Sequence, residues 1–334
     1  GHRQPERHGG APLRTRTGLG SGTGPAGASK SLEAVPHRSW FALGLAALAF
    51  TITAINVTGT NIAFASIQET FAGSSRSTLS WALSGYSITL ATFMVLAGRL
   101  ADRIGRRKVF FSGVEIFLVG SLICAAAPTA AVFIAGRVVQ GFGGALIVPS
   151  SLALVLPGFP DSRRTSAIAV WTASGSAGAA AAPSLSAFIV EFAGWRWVYL
   201  IAVPIGVAIL VFGRSLLSES SVEAGSDPID YVGFPMGTIA IGLVAFAIVQ
   251  GPRWGWTSAG IVAAVVGAAV LIPAFIVRSL RHPAPLLDLR LFKVRTVWTS
   301  SLANVFMSMM GLSIWLVWPL FLGGIWGYDL FHVG

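Results

Sequence analysis

From residue 40 onward the chain alternates apolar stretches of about 20 residues with short polar breaks. A helix rises about 1.5 Å per residue, so such a run matches the ~30 Å hydrocarbon layer of a bilayer. The pattern predicts about nine helical spans, at roughly 40–60, 79–98, 108–128, 130–153, 166–190, 196–213, 231–250, 258–277 and 297–321. Two breaks carry that count. Ala127-Pro128-Thr129 parts the third span from the fourth, and the run from Pro157 to Arg164 parts the fourth from the fifth. Each span must be helical, because a backbone in lipid has to satisfy its own hydrogen bonds. The fold class this implies is an all-α integral membrane protein.

The polar segments suggest sides and domains. Residues 1–39 are rich in Gly, Pro, Ser, Thr and Arg and read as a disordered cytoplasmic tail. The sequence starts without Met, and its first apolar run is long and lacks a clear cleavage site, so a retained helix is expected rather than a removed signal peptide. With the N-terminus inside, the inner segments hold 19 of the 23 Lys and Arg residues and the outer loops hold three, Arg76, Arg196 and Arg253. That asymmetry predicts a cytoplasmic N-terminus in a cell-membrane protein. Residues 40–213 form an expected six-helix bundle, and 214–230 a polar, acidic cytoplasmic linker. Residues 231–277 are an expected helix pair. Residues 278–296 are a basic amphipathic loop along the inner membrane surface.

Composition agrees with this reading and removes others. The chain is 54% hydrophobic and 11% charged, whereas a soluble domain carries about 25% charged residues. The net charge of +10 does not point to nucleic acid, because the cations flank the spans. Cys124 is the single cysteine, so no intrachain disulfide can form, and the five His are too scattered for a metal site. No phosphate loop or nucleophile constellation is present, so neither an enzyme nor a cofactor is expected. Trp195, Trp197, Trp254 and Trp256 fall near outer span ends, where aromatic belts form. Trp315 and Trp318 fall deeper, where they could face flat aromatic cations.

Arg137 carries the most chemistry. It lies about seven residues, roughly 10 Å, inside the fourth span. An intramembrane cation is expensive and is a functional candidate by default, against the alternative that it snorkels outward. Asn56 in the first span sits at nearly the same depth, which allows an Asn–Arg hydrogen bond. Glu115 is the only acid well inside the first six spans and is a candidate proton carrier if buried, or else a lipid-facing side chain. Asn304 in the ninth span is a candidate substrate contact.

Three stretches resemble a known family. Residues 98–108 read GRLADRIGRRK and fit G-x-L-A-D-x-x-G-R-[RK]-[RK]. Residues 137–145 read RVVQGFGGA and are similar to R-x-x-Q-G-x-G-A. Residues 178–187, GAAAAPSLSA, keep Gly178 and Pro183 of a G-x-x-x-G-P-x-x-G-G pattern and replace its other glycines by small residues. These resemble the loop after the second helix, the fourth helix and the fifth helix of major facilitator superfamily transporters. The segments WRWVYLIAVPIG (195–206), QGPRWGWTS (250–258) and PLLDLRLFK (285–293) look like that superfamily's fourteen-helix drug:proton antiporter branch.

The resemblance implies a major facilitator-type helical bundle in which 231–277 is an inserted pair and 297–334 begins an incomplete C-terminal bundle. Five further helices would follow in such a transporter. It implies proton-coupled export of small amphipathic or cationic substrates, with the proton gradient as energy source and the lipid bilayer and protons as partners. Arg137 would serve proton coupling. Gly98, Asp102, Gly105 and Arg106 would form a gating latch. Asn56, Asn61, Gln140 and Pro183 would border the substrate path. Two departures bear on coupling: residues 55–67 align with the family's first-helix pattern, but its Asp falls on Asn56, which cannot titrate, and the glycines around Pro183 are thinned. A uniporter, or a non-transporting membrane scaffold or defunct fragment, is the alternative reading.

Overall fold

Most spans are longer than hydropathy alone predicts, α1 because polar residues near its end are satisfied within the helix. The structure, a computed structural model, describes residues 36–217, 230, 232–283 and 289–325, except the side chains of 311–320 and 322–324. The first span was expected to stop near 60. Helix α1 instead runs His37–Thr70. Thr60, Asn61 and Thr70 each donate to the carbonyl four residues back, at 2.8, 3.1 and 2.9 Å, so they do not compete with the helix.

The short helix α2 (Arg76–Leu79) leads into α3 (Trp81–Ile104), followed by α4 (Arg106–Ala126) and α5 (Ala130–Val155). Thr129 caps α5, its side chain accepting from the amide of Val132 at 3.4 Å. Helix α6 is Asp161–Ala193, longer than expected at both ends. Asp161 and Arg164 pair across its first turn at 2.6 Å, and Gly194 ends it with a φ of 88°, a backbone turn suited to glycine. The sixth span is split at Ile201 into α7 (Trp197–Leu200) and α8 (Ala202–Leu216). Then come α9 (Gly233–Trp254), α10 (Ala259–Arg281) and α11 (Arg295–Gly324). Among the described residues, eight helical segments, from α1 to α10, are long and apolar enough to cross a membrane. Helix α11 is a further 30-residue helix, and no strand occurs among the described residues.

Several expected segments shift or fall outside the description. The tail 1–35 and most of the linker, 218–229, lie outside the described residues, as do 284–288 and the side chains of Trp315 and Trp318. The basic loop expected from 278 starts later, since Arg278 and Arg281 are the last turn of α10. Cations there face the unpaired carbonyls and the negative end of the helix.

Helix α5 lies at the centre, packed on α4, α3 and α1, while α6 packs on α1, α8 on α4, α9 on α3 and α10 on α9. Small residues bring the backbones together, as lipid-embedded helices require. A Cβ on Gly143 of α5 would lie 2.4 Å from the backbone nitrogen of Phe117 in α4. Pro183 does not interrupt α6. Its neighbours Ala182 and Ser186 are buried, and Gly178 sits against Thr51 of α1. Trp195 departs from its expected place in an aromatic belt. It is buried among Phe71, Phe133 and Tyr199 and donates through Nε1 to Thr70 Oγ1 at 2.8 Å. Trp197, Trp254 and Trp256 are exposed on the bundle surface.

Candidate functional site

Arg137 is only 1% exposed. The seven residues between it and the start of α5 place its guanidinium well inside the bundle, where α1, α3, α4 and α5 meet. It donates through one Nη to Asn56 Oδ1 at 2.6 Å and to Gln140 Oε1, and through Nε to the carbonyl of Ala82 at 3.2 Å. Its Cζ stands 4.1 Å from the ring centroid of Tyr86 and 5.9 Å from that of Tyr199. No carboxylate of a described residue pairs with it.

The surrounding groups extend this cluster in two directions. Gln140 Nε2 donates to Ser121 Oγ at 2.7 Å, and Ser121 donates to the carbonyl of Phe117 at 2.9 Å. On the α1 side, the Tyr199 hydroxyl donates to Thr60 Oγ1 at 3.0 Å, and Thr60 donates in turn to the carbonyl of Asn56. The Tyr86 hydroxyl is buried and makes no hydrogen bond among the described residues. A buried charge is normally held by an opposite charge. Here neutral acceptors and two aromatic faces do the work, at about 1.5–3 kcal/mol per charged hydrogen bond and about 2 kcal/mol for a desolvated cation–π contact.

A second cluster of arginines ties helix ends at the opposite end of α5. Gly105 joins α3 to α4 with a φ of 109°, which sets Arg106 beside Asp102. Arg106 donates to Asp102 Oδ1 through Nε at 3.0 Å and Nη2 at 2.8 Å, and through Nη1 to the carbonyl of Ala153 near the end of α5 at 2.9 Å. Arg107 donates to the carbonyl of Arg214 in α8 at 2.7 Å. Arg38 of α1 reaches the carbonyls of Ser215 and Leu216, at 2.9 and 3.3 Å. These guanidinium groups cap the C-terminal carbonyls of α5 and α8 and complement their dipoles. Gly98 plays no such part: a Cβ there would meet only Pro149, at 3.9 Å.

The structure therefore brings some expected residues together and leaves others apart. Arg137, Asn56 and Gln140 form one buried cluster, and in this conformation neither Asn56 nor Gln140 is open to a cavity, being 2% and 0% exposed. Asp102, Gly105 and Arg106 form the helix-end cluster. Glu115 is not buried. Its side chain is 48% exposed on the outer face of α4 and pairs with Arg214 at 3.1 Å, which is the outward-facing alternative and not a place inside the bundle. Asn61 is exposed on α1 and bonds its own helix, Asn304 is exposed on α11, and Pro183 is half-buried within α6. Sequence reasoning missed Tyr86, Tyr199, Thr60 and Ser121. The chain has only four Tyr, and two of them inside apolar spans were a readable sign of a buried polar site.

A further polar site lies outside the bundle. Asp230 is buried before α9 and accepts from Arg278 Nε at 2.8 Å and from the amide of Gly233 at 2.7 Å. Burial alone would raise its carboxyl, but the hydrogen bonds from Arg278 and Gly233 outweigh it and hold the carboxyl below its ordinary 3.8.

Comparison with known proteins matches this architecture. The family model described as Major Facilitator Superfamily matches residues 46–228. The chain is 35% identical over 248 residues to the methylenomycin A resistance protein of Bacillus subtilis (strain 168), covering 74% of this chain and 53% of that protein. It is 39% identical over 244 residues to the drug efflux pump JefA of Mycobacterium tuberculosis (strain ATCC 25618 / H37Rv), covering 71% and 47%. It is 35% identical over 283 residues to the multidrug efflux pump LfrA of Mycolicibacterium smegmatis, covering 84% and 55%. The chain thus spans about half the length of the curated relatives it matches. Among solved structures, the POT family transporter PepTSo aligns with a TM-score of 0.53 at 18% identity, over 74% of this chain and 56% of that one, a likeness of fold.

Proposed function

The chain belongs to the major facilitator superfamily, and from that premise we propose that it works in secondary active export of small amphipathic compounds across the cell membrane. The relatives named as drug efflux pumps support the export reading. On this proposal α1–α8 form the N-terminal bundle, α9 and α10 an inserted pair, and α11 the first helix of a second bundle. The N-terminus and the Arg106 end face the cytoplasm, and the proton gradient drives alternating access.

The observation that carries the proposal is the buried Arg137, held by side chains from α1, α3 and α5. A shift of these helices against one another within their bundle changes its partners, so its energy differs between conformations, as a coupling element requires. The ties from Arg38, Arg106 and Arg107 to helix ends form and break on the same terms. They act as a latch that holds one state. Asn56 favours a second reading within transport. An amide carries no proton, so a uniporter or an exporter with altered coupling uses the same frame.

Efflux of a fluorescent dye from cells making the protein separates these readings. Antiport predicts efflux that an uncoupler stops and that Arg137→Met abolishes. Flux that ignores the uncoupler supports the uniporter. A normally inserted protein with no flux overturns the export proposal and leaves a scaffold role.

A further inference from the structure

We infer that Arg137 is a binding site for the carboxylate group of an organic substrate, one carried on an apolar or aromatic body. The inference rests on the export reading above and narrows its substrate class. It starts from a charge imbalance. Six acids lie among the described residues: Glu69, Asp102, Glu115, Asp161, Glu191 and Asp230. Glu69 and Glu191 are exposed near helix ends. The other four pair with Arg106, Arg214, Arg164 and Arg278. None of them reaches the guanidinium of Arg137, the largest fully buried side chain among the described residues.

The neighbours of that cation are suited to an exchangeable anion. Asn56 and Gln140 satisfy the guanidinium as neutral acceptors. A carboxylate makes shorter and stronger bonds to the same planar fork, so it displaces an amide oxygen once the helices part. The buried Tyr86 hydroxyl, without a hydrogen-bond partner among the described residues, belongs to the ring that stacks under Arg137 at 4.1 Å and offers an unused donor. Tyr86, Tyr199 and Phe133 supply apolar wall, since Phe133 packs edge-on against Tyr199 at 5.6 Å between centroids. A cationic ligand would meet the unbalanced charge head-on, so the cationic class is disfavoured at this site. The site is closed in this structure, and the ligand selects the state in which α1 and α3 open it.

Equilibrium binding of radiolabelled benzoate to the full protein in lipid nanodiscs at low salt tests the inference, with benzamide and benzylammonium as neutral and cationic counterparts. The wild type should bind benzoate saturably and at least tenfold more tightly than either counterpart. Asn56→Asp installs a carboxylate beside the guanidinium and should weaken benzoate at least tenfold. Should that variant not fold, Arg137→Met must lose benzoate binding instead. Equal binding by wild type and either variant overturns the inference, as does benzylammonium binding as tight as benzoate, or no benzoate binding. Displacement of benzoate by an equal concentration of chloride overturns the organic class. Uncoupler-sensitive export without carboxylate preference overturns this inference and leaves the export reading intact. Carboxylate binding without export supports the site and overturns the export reading.

Discussion

Arg137 of α5 and Asn56 of α1 are 81 residues apart in sequence and are joined by a 2.6 Å hydrogen bond in a site where Arg137 is 1% and Asn56 2% exposed. The bond matters because the donor is charged and the acceptor is not. Asn56→Leu removes the acceptor and leaves buried charge less satisfied, a loss of about 2–3 kcal/mol. Asn56→Asp supplies the missing counter-charge, worth up to about 4 kcal/mol at short range near an effective dielectric of 20. Thermal unfolding in detergent should therefore rank Asn56→Asp above wild type and wild type above Asn56→Leu. In an Arg137→Met background the penalty of Asn56→Leu should shrink below about 1 kcal/mol, because the pair no longer exists. An unchanged penalty there would mean that Asn56 matters only for packing.

Asp230 makes stability pH-dependent where α9 begins. Its carboxyl is held below 3.8 in the folded protein. A depressed folded value contributes stability that is present above the unfolded value and lost as pH falls through the folded one. Asp230→Asn should accordingly be less stable than wild type at neutral pH, with the gap closing once the pH drops below about 3.8. Gly233→Ala should mimic part of this loss at every pH, because a Cβ there would lie 2.0 Å from Asp230 Oδ2 and drive the carboxylate out. The check is the acid-unfolding midpoint of the three proteins, followed by a reporter on α9. Parallel curves for wild type and Asp230→Asn down to pH 2 would remove Asp230 as the source.

The two glycines of the 98–108 segment should behave differently. Gly105 has a φ of 109°, where an added Cβ is strained by about 1–3 kcal/mol. That strain falls at the turn which places Arg106 on Asp102 and on the Ala153 carbonyl. Gly98 lies in α3 with room for a side chain, its would-be Cβ in ordinary contact with Pro149 at 3.9 Å, so alanine should be neutral or up to about 1 kcal/mol stabilising through helix propensity. Unfolding midpoints of the two single variants give the ranking directly. Equal cost at both positions would show that the motif's glycines are needed for close packing and not for the turn.

Much of this was legible in the sequence, and the misses share a cause. Hydropathy period and length gave the helices, because in lipid the backbone has no alternative to helix over about 20 apolar residues. It placed their ends poorly. The first span was expected to stop near 60, yet Thr60 and Asn61 bond within α1 and the helix runs on to Thr70. Arg137 and Asn56 were legible as partners because depth along two helices is simple arithmetic. The face of a helix is harder to read than its depth. Glu115 lies as deep as expected and still points outward, half-exposed beside Arg214. Trp195 points inward for the converse reason, since its indole N–H finds Thr70. Partners far apart in sequence, such as Tyr199 with Thr60, follow only from the packing.

Arg253 shows how packing ties the α9 end to the buried site. It sits at the end of α9, where only an outer loop cation was expected, and it donates through Nη1 to Ser84 Oγ at 2.8 Å and to the carbonyl of Ser80 at 3.4 Å. The carbonyl of Ala82, between those two residues, accepts from Arg137. The first turns of α3 are therefore gripped by one arginine from α9 and by another from α5. Ser84 is 2% exposed, so Arg253→Ala strands a buried hydroxyl and should cost about 1–2 kcal/mol. Ser84→Ala should cost less than that, because the arginine is part-exposed and water takes up its lost bond. The double variant should cost little more than Arg253→Ala alone, leaving a coupling of about 1 kcal/mol. Because α3 also carries Tyr86 under Arg137, Arg253→Ala should in addition lower dye efflux several-fold while membrane insertion is unchanged. Additive single-variant losses would show that Arg253 and Ser84 do not act as a pair, and undiminished efflux would confine the contact to holding α9 on α3.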